Sequence, residues 1–293
     1  MSEAKTDQWL DWLTAGRDAK SIEIRRRSLN MLLPIRDRVL DAARLQPDDI
    51  VLDIGCGEGL LGIGALERLG DKGQVVFSDI SLPLLEHTEN AINALGADSR
   101  STFVPADIRD LAEVCDESVT VAVARSVLIY VAQREAAFRA IARVLKPKGR
   151  LSIYEPVASF LDGAGDDGSF FGWDVRETKD LAALVKASFG PIDQPILTLD
   201  PRDLVHAAEY AGLDDVRALV TASSVRHSPG DELIVRQVLE GRPNPNAPTP
   251  TEAARKCLGP DQAGRFLESL AAAVREGRGR RRYTDVLLTA TKP

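Results

Sequence analysis

The chain has 293 residues, of which 44% are hydrophobic and 28% charged, the composition of an ordinary globular protein. Its net charge of −7 disfavours nucleic acid as a partner, and no uncharged run approaches the ~18 residues of a membrane span. The three cysteines, Cys56, Cys115 and Cys257, show no metal-ligand spacing, so we expect a cytoplasmic protein without a bound metal.

The first 45 residues contain two stretches with helical periodicity. Trp9 to Leu13 predicts a short helix, and Ile22 to Leu45 predicts a longer one that is interrupted or bent near Pro34. We interpret residues 1–45 as an N-terminal helical cap.

From residue 46 onward, strands and helices alternate. Strands are predicted at 50–54, 74–78, 101–104, 119–124 and 150–154, and helices at 60–69 and 83–95 and on the apolar face from Phe138 to Leu145. This alternation predicts an α/β fold with a parallel sheet and helices on both faces. After Pro156 we predict helices at 203–212 and 260–276, strands at 216–223 and 283–290, and a proline-rich linker at 241–250.

The strongest chemical signal is the segment from Val51 to Gly59, in which a strand, a glycine-rich turn and a helix follow one another. Ligands of open α/β sheets bind at the carboxyl ends of strands, and glycines there let a ligand approach the backbone. We therefore expect a nucleotide-type ligand at this turn.

The type of ligand is indicated by Asp53, which lies two residues before the first glycine of the turn. A literal G-x-G-x-x-G pattern exists at Gly57, Gly59 and Gly62, but the strand position requires it to start at Gly55, where the third glycine is missing. The Asp53 carboxylate would repel a dinucleotide's diphosphate. It would suit a positively charged ligand group such as an ammonium, directly or through water.

Two further carboxylates follow the next two predicted strands. Asp79, 22 residues after Gly57, can accept hydrogen bonds from ribose hydroxyls, and Asp107 is placed to accept one from an adenine amino group. Together with Asp53 they predict a nucleoside site with three carboxylates.

Residues 50–156 resemble the class I S-adenosylmethionine-dependent methyltransferases. The match runs through VLDIGCG at 51–57, FSD at 77–79, AD at 106–107 and VLKPKGRL at 144–151. The resemblance implies a Rossmann-like, seven-stranded sheet of order 3-2-1-4-5-7-6 with strand 7 antiparallel. Strand 6 would lie at 216–223 and strand 7 at 283–290, with a helical insertion between them.

The resemblance also implies where the cofactor lies. Within a methyltransferase domain of residues 46–293, we expect insertions around 157–200 and 226–280 to cover the substrate. The methionine part would contact Gly55, Cys56 and Gly57, the ribose Asp79 and Ile80, the adenine Asp107 and Ile108, and the sulfonium Arg125, Ser126 and Val127.

The expected reaction is direct displacement of the methyl group by an oxygen, nitrogen or carbon nucleophile of a small molecule. A general base helps if the acceptor is a hydroxyl or a basic amine, and the candidates are Tyr130, Glu155 and His206. The aromatic residues beside the glycine-rich stretch at 162–168 suit a lid over an apolar or aromatic substrate. They are Phe160, Phe170, Phe171 and Trp173.

Three alternatives stay open at the sequence level. Arginines at 25–27 and 275–282 would serve an RNA or protein methyltransferase, although a solvated surface explains them as well. The chain could also bind the cofactor for a reaction other than methylation, or be an NAD-dependent oxidoreductase, against which Asp53 argues. A homodimer is compatible with the sequence.

Overall fold

A computed structural model describes residues 7–157, 168–189, 195 and 197–293. The described residues contain ten α-helices and nine strands. The helices are α1 (Gln8–Asp11), α2 (Ile22–Ala43), α3 (Leu60–Leu66), α4 (Leu82–Ala94), α5 (Arg134–Val144), α6 (Lys179–Ala187), α7 (Pro201–Tyr210), α8 (Glu232–Glu240), α9 (Pro250–Cys257) and α10 (Pro260–Glu276). The strands are β1 (Ile50–Ile54), β2 (Gln74–Asp79), β3 (Ser101–Pro105), β4 (Val119–Arg125), β5 (Leu145–Pro156), β6 (Ser169–Phe170), β7 (Trp173–Asp174), β8 (Asp214–Arg226) and β9 (Arg280–Thr291).

Seven of these strands form one sheet of order β3-β2-β1-β4-β5-β9-β8. The first five strands pair in parallel, and β9 pairs antiparallel to β5. Because β8 and β9 are the sixth and seventh strands of the sheet in chain order, the predicted order 3-2-1-4-5-7-6 is confirmed. The short strands β6 and β7 pair only with each other in a separate hairpin.

Both faces of the sheet are covered by helices, as predicted. Successive residues of β1 enter different apolar clusters: Val51 packs with Val39 of α2 and Phe77 of β2, whereas Leu52 packs with Phe138 of α5. A strand buried on both sides can be apolar at nearly every position, which explains the mainly apolar sequences of β1 and β4.

The chain divides into two compact units. We call Met31–Val157, Pro195–Thr221 and Asp285–Pro293 the sheet unit, and Met1–Asn30, Ala158–Gln194 and Ala222–Thr284 the helical unit. The helical unit includes α8, α9 and α10, the predicted helical insertion between the last two strands.

The helical unit has its own aromatic core, and two of the residues predicted to form a lid belong to it. Phe170 is 1% exposed and its ring lies 5.1 Å from that of Phe266, while Trp173 stacks on His227 at 3.6 Å between ring centroids. Phe170 and Trp173 therefore belong to the core of the helical unit. A lid over the substrate stays a prediction, and Phe171, which is 47% exposed, is its accessible ring. Phe160 lies outside the described residues.

Two further sequence predictions differ from the structure. Helix α2 runs continuously through Pro34, so the interruption does not occur, whereas a bend at Pro34 stays a prediction. The linker predicted to extend to Pro250 ends one residue earlier, because Pro250 is the first residue of α9 and Thr249 caps that helix. Within the described part of the chain, no helix combines the length and the apolar character needed to cross a membrane.

Candidate functional site

The turn after β1 contains three glycines in left-handed conformation. The φ angles are 61° at Gly55, 55° at Gly57 and 80° at Gly59, values that a residue with a Cβ adopts only at an energetic cost. Cys56 anchors the turn, since its N–H donates to the carbonyl of Ser78 at the end of β2 at 2.9 Å. The glycines therefore shape a backbone loop at the carboxyl ends of β1 and β2.

Gly55 also lies in close contact with the segment that follows β4. A Cβ placed on Gly55 would lie 2.5 Å from Cγ2 of Val127. Two non-bonded carbon atoms do not approach to that distance, so only glycine lets the two loops lie this close together. The loops that follow β1 and β4 thus form one continuous surface at the carboxyl edge of the sheet.

Asp79 closes the other side of the turn. Its Oδ2 accepts the Gly57 N–H at 3.0 Å and its Oδ1 accepts the Ser81 N–H at 3.0 Å, and the residue is 8% exposed. A carboxylate has about four lone-pair sites, and each of these two bonds uses one of them, so a hydrogen bond from a ligand hydroxyl stays a prediction. The adjacent Ile80 is 62% exposed and offers an apolar side chain beside that carboxylate.

Asp53 has a partner that sequence reasoning missed. It is 1% exposed, and its Oδ2 accepts the N–H of Gly62 in the first turn of α3 at 2.8 Å. Since the N-cap residue Gly59 has no side chain, the carboxylate from β1 acts as the cap. Burial raises the pKa of Asp53 to about 7, and the neighbouring Asp79 charge adds to the rise. Its contact with a ligand ammonium stays a prediction.

Asp107 also has a partner that the sequence did not reveal. Arg109 donates from Nε to Oδ1 at 2.9 Å and from Nη2 to Oδ2 at 2.5 Å, and this pairing holds the pKa of Asp107 below its usual value. Ile108 is 6% exposed and packs in the same core cluster as Leu52. The adenine contacts of Asp107 and Ile108 therefore stay predictions, and Asp107 already binds a guanidinium.

The Cys56 side chain is 6% exposed beside the turn. Burial, with the charges of Asp53 and Asp79, raises the pKa of the Cys56 thiol far above its usual range. A thiol held in its protonated form is a poor nucleophile, so only the backbone of Cys56 is suited to contact a ligand.

The segment after β4 begins with a strained residue. Ser126 is left-handed with φ 56°, and its N–H donates to the carbonyl of Tyr154 on β5 at 2.9 Å. The Arg125 guanidinium donates to the Ser126 hydroxyl at 3.3 Å. Burial raises the pKa values of Asp53 and Glu155, and the Arg125 charge partly opposes that rise. Arg125 therefore lies among the acidic groups of the site.

Glu155, one of the candidate bases, is fully buried at the end of β5. Its Oε1 accepts the N–H groups of Val127 at 3.0 Å and Leu128 at 2.9 Å, and its Oε2 accepts that of Ile129 at 3.2 Å. Burial raises the pKa of Glu155 to about 7, and the three N–H donors limit the rise.

The structure places the other two candidate bases differently. Tyr130 directly follows the segment bound by Glu155, and burial raises the pKa of its hydroxyl to about 12. A phenol with that pKa stays protonated at neutral pH and is better suited to donate a hydrogen bond than to remove a proton. His206 is exposed on α7, which packs against α5, and it is not part of the set of contacts described above.

One polar cluster of the sheet unit was not predicted. Arg38 of α2 donates to Asp285 of β9 at 3.2 Å, and its guanidinium lies 5.6 Å from the ring centroid of Tyr154. Tyr154 pairs in register with Arg125, so this cluster continues the site along the carboxyl edge of the sheet. The partners are 247 positions apart in the chain, and no local sequence pattern could have revealed their contact.

The residues at this edge fit a nucleoside that carries an amino acid. The glycine turn leaves the backbone accessible, and the Asp79 carboxylate and the exposed Ile80 lie beside it. The guanidinium groups described at this edge are those of Arg38, Arg109 and Arg125, and the first two are each bonded to a carboxylate. Among the residues that the structure describes here, they form no cluster of cations of the kind that binds a diphosphate.

The comparisons with known proteins agree with this geometry. Residues 51–149 match the family model described as a methyltransferase domain. The chain is 32% identical over 136 residues to a ubiquinone/menaquinone biosynthesis C-methyltransferase of Teredinibacter turnerae, a match that covers 45% of this chain and 53% of the relative. It is 31% identical over 118 residues to the tRNA 5-carboxymethoxyuridine methyltransferase of Escherichia coli K12, covering 40% and 43%. The chain thus spans about half the length of the curated relatives that it matches.

A solved structure covers more of the chain. Geranyl diphosphate methyltransferase in complex with SAM superposes with a TM-score of 0.53, covering 99% of this chain and 93% of the other at 17% identity. At this identity the similarity establishes the fold alone. The sheet order, the family match and the superposition together identify a Rossmann-like methyltransferase fold.

Proposed function

We propose that this protein, whose residues 51–149 match the model of a methyltransferase domain, transfers a methyl group from S-adenosylmethionine to a small molecule. The observation behind the proposal is the position of the Asp79 carboxylate. It is bonded to the N–H of the left-handed Gly57 at the carboxyl end of β2, the edge at which ligands of open α/β sheets bind. The matched segment supplies all the residues of this arrangement.

When bound, S-adenosylmethionine supplies an electrophilic methyl group on a sulfonium, so the protein needs mainly to bind, align and exclude water. Asp79 holds the ribose hydroxyls, and Ile80 covers the nucleoside with apolar surface. Gly55 and Gly57 leave room for the methionine part beside the backbone. The remaining proposed contacts are Asp53, Cys56, Asp107, Ile108, Arg125, Ser126 and Val127.

The acceptor is the less defined part of the proposal. We expect a small apolar or aromatic molecule that reacts through oxygen, nitrogen or carbon, in the cytoplasm. Tyr130, Glu155 and His206 remain the candidate bases for an acceptor that must lose a proton. A homodimer also remains a prediction, and light scattering of the purified protein tests it.

An RNA acceptor is the second candidate, favoured by the similarity to a tRNA methyltransferase. Several of the arginines that would serve it already have partners in the helical unit. Arg275 pairs with Glu232 at 2.7 Å, and Arg280 donates to the Ser224 hydroxyl at 2.9 Å. Engaged guanidinium groups bind a phosphate backbone less readily, and the net charge of −7 adds repulsion. The small-molecule acceptor is therefore the better supported of the two.

Calorimetry with S-adenosylhomocysteine tests the cofactor assignment. We expect Asp79→Asn to weaken binding at least about tenfold, or about 1.4 kcal/mol, because an amide replaces a charged acceptor of the ribose hydroxyls. Asp71→Asn, which changes an exposed carboxylate in the loop before β2, is the matched control and should bind like the wild type. Absence of any heat with the wild-type protein would refute the proposed function. Unchanged affinity of Asp79→Asn would remove only Asp79 from the site.

A further inference from the structure

Glu155 binds three consecutive backbone N–H groups at the start of a short 3-10 helix, Leu128–Tyr130, where no preceding turn supplies acceptors. Its two oxygens accept the N–H groups of Val127, Leu128 and Ile129 at 2.9 to 3.2 Å. Leu128 is 0% and Ile129 2% exposed, so water cannot replace the carboxylate at these donors. Removing the carboxylate would leave buried N–H groups without acceptors, which is costly in a protein interior.

The backbone conformation of the bound segment is unfavourable unless neighbouring groups stabilise it. It starts at the left-handed Ser126, a conformation that costs free energy for a residue with a side chain. Only surrounding contacts can maintain such a backbone. Two of them come from β5: the Ser126 N–H donates to the carbonyl of Tyr154, and the Glu155 carboxylate binds the next three residues.

The same segment forms one wall of the proposed cofactor site. The Val127 side chain fills the space beside Gly55 so closely that a methyl group there would lie 2.5 Å from Cγ2 of Val127. A shift of Val127 therefore changes the surface that Gly55 shares with it. The chain of contacts runs from Glu155 to the Val127 N–H and from the Val127 side chain to Gly55.

We propose that Glu155 is a positioning residue that holds the segment from Ser126 to Ile129 against the glycine turn and thereby sets the affinity for the cofactor. This inference rests on the proposed function for its affinity prediction. It gives Glu155 a role other than that of general base, because both carboxylate oxygens already bind backbone donors in a fully buried position.

The charged and titratable groups that face Glu155 are Arg125 from β4, Tyr130 from the bound segment and Arg134 from α5. Burial raises the pKa of Glu155 to about 7, so its carboxyl group gains or loses its proton around neutral pH. A protonated carboxyl carries its own donor and cannot serve three N–H groups equally well. Cofactor affinity should therefore fall as the pH decreases from about 8 to about 6.

The test uses Glu155→Gln, which keeps the shape and removes the charge. We expect S-adenosylhomocysteine to bind this variant at least about tenfold more weakly than wild type at about pH 8, with a reduced dependence on pH. Hydrogen exchange, which needs no cofactor, should show faster exchange of the amides of residues 127–129. The variant of a general base would instead lose turnover while keeping the affinity for S-adenosylhomocysteine.

Asp49→Asn is the matched control for burial of a neutralised carboxylate. Asp49 is 6% exposed before β1, at the opposite edge of the sheet, and accepts from the Gln46 N–H, the Thr120 hydroxyl and the Arg150 guanidinium. Its variant should lose stability and keep the wild-type affinity and exchange at 127–129.

The positioning role is overturned by unchanged exchange in Glu155→Gln, by unchanged affinity, or by an equal loss of affinity in Asp49→Asn. A pH dependence retained in Glu155→Gln assigns the titration to Asp53 and also overturns the pH part of the inference. If wild-type protein binds no S-adenosylhomocysteine, the proposed function fails, and hydrogen exchange alone decides whether Glu155 orders the segment.

Discussion

Gly55 combines two constraints at one residue, a left-handed backbone and direct contact with Val127. Gly96 has only the first constraint, since its φ is 68° and a Cβ there would meet nothing within 4 Å. Comparing alanine substitutions at Gly55 and Gly96 separates the free-energy cost of backbone strain from the cost of steric overlap. That separation is useful because both effects would otherwise appear as one loss of stability.

We predict that Gly55→Ala weakens S-adenosylhomocysteine binding at least about tenfold and lowers the melting temperature more than Gly96→Ala does. The left-handed conformation costs both variants about 1–2 kcal/mol, and only Gly55→Ala must also displace Val127. Calorimetry and thermal unfolding of the two variants measure the difference. Equal effects of both substitutions would show that the Val127 contact does not matter.

At the scale of elements, the helices beside the site begin with different caps. Helix α3 starts at a glycine and takes its cap from Asp53 on β1, whereas Ser81 caps α4 with its own hydroxyl, which accepts the Leu84 N–H at 3.2 Å. Helix α3 therefore depends on the sheet for its first turn, and α4 begins on local sequence alone. A local cap can be tested without disturbing the strands.

We predict that Ser81→Ala lowers the free energy of unfolding by about 1 kcal/mol, the usual cost of losing an N-cap. The backbone N–H of Ser81 still donates to Asp79 in this variant, so the affinity for S-adenosylhomocysteine should stay within about twofold of wild type. Denaturant unfolding and calorimetry check the two parts. A loss of affinity comparable to that of Asp79→Asn would show that the hydroxyl itself contacts the ligand.

At the scale of the whole molecule, two buried carboxyls link stability to pH. Burial raises the pKa values of Asp53 and Glu155 to about 7, above the values expected in an unfolded chain. A raised pKa means that the folded state holds the proton more tightly than the unfolded state. The resulting stabilisation is complete at low pH and is lost as the pH rises through about 7.

We predict that the melting temperature falls between about pH 5 and about pH 8, because folded Asp53 and Glu155 become ionised in a buried environment over that range. Thermal unfolding of the wild type and of Glu155→Gln at several pH values measures the effect. The variant should show a shallower decrease, since one of the two groups no longer titrates. A melting temperature that rises across the same range would contradict the prediction.

The sheet was predictable because its determinants are local. The apolar run at 50–54 and the glycines that follow it mark a buried strand and a turn without any knowledge of distant residues. The same holds for Asp79, whose position at a strand end follows from the strand itself. A helical insertion was predicted before the last strand, but α6, α8 and α9 were not predicted as individual helices, because their apolar faces are short.

The partners of the site residues were not predictable for a different reason. The sequence identified Asp53 and Glu155 as candidate site residues. Their hydrogen-bond donors are the backbone N–H groups of Gly62 and Val127, which lie 9 and 28 residues away. A backbone donor is present in almost every residue type, so the sequence does not reveal it. The pairing of Arg38 with Asp285 spans 247 positions. Such contacts depend on how the chain returns to the same edge of the sheet.

The sequence by itself determined the α/β class, the order of the sheet through a recognisable family pattern, and the glycine and carboxylate positions that mark the ligand edge. The tertiary structure alone decided which backbone groups and which arginine those carboxylates bind. The physical reason is that strand and turn formation depend on neighbouring residues. The burial of a carboxylate, and with it the pKa and the remaining acceptor capacity, depends on every element that packs around it.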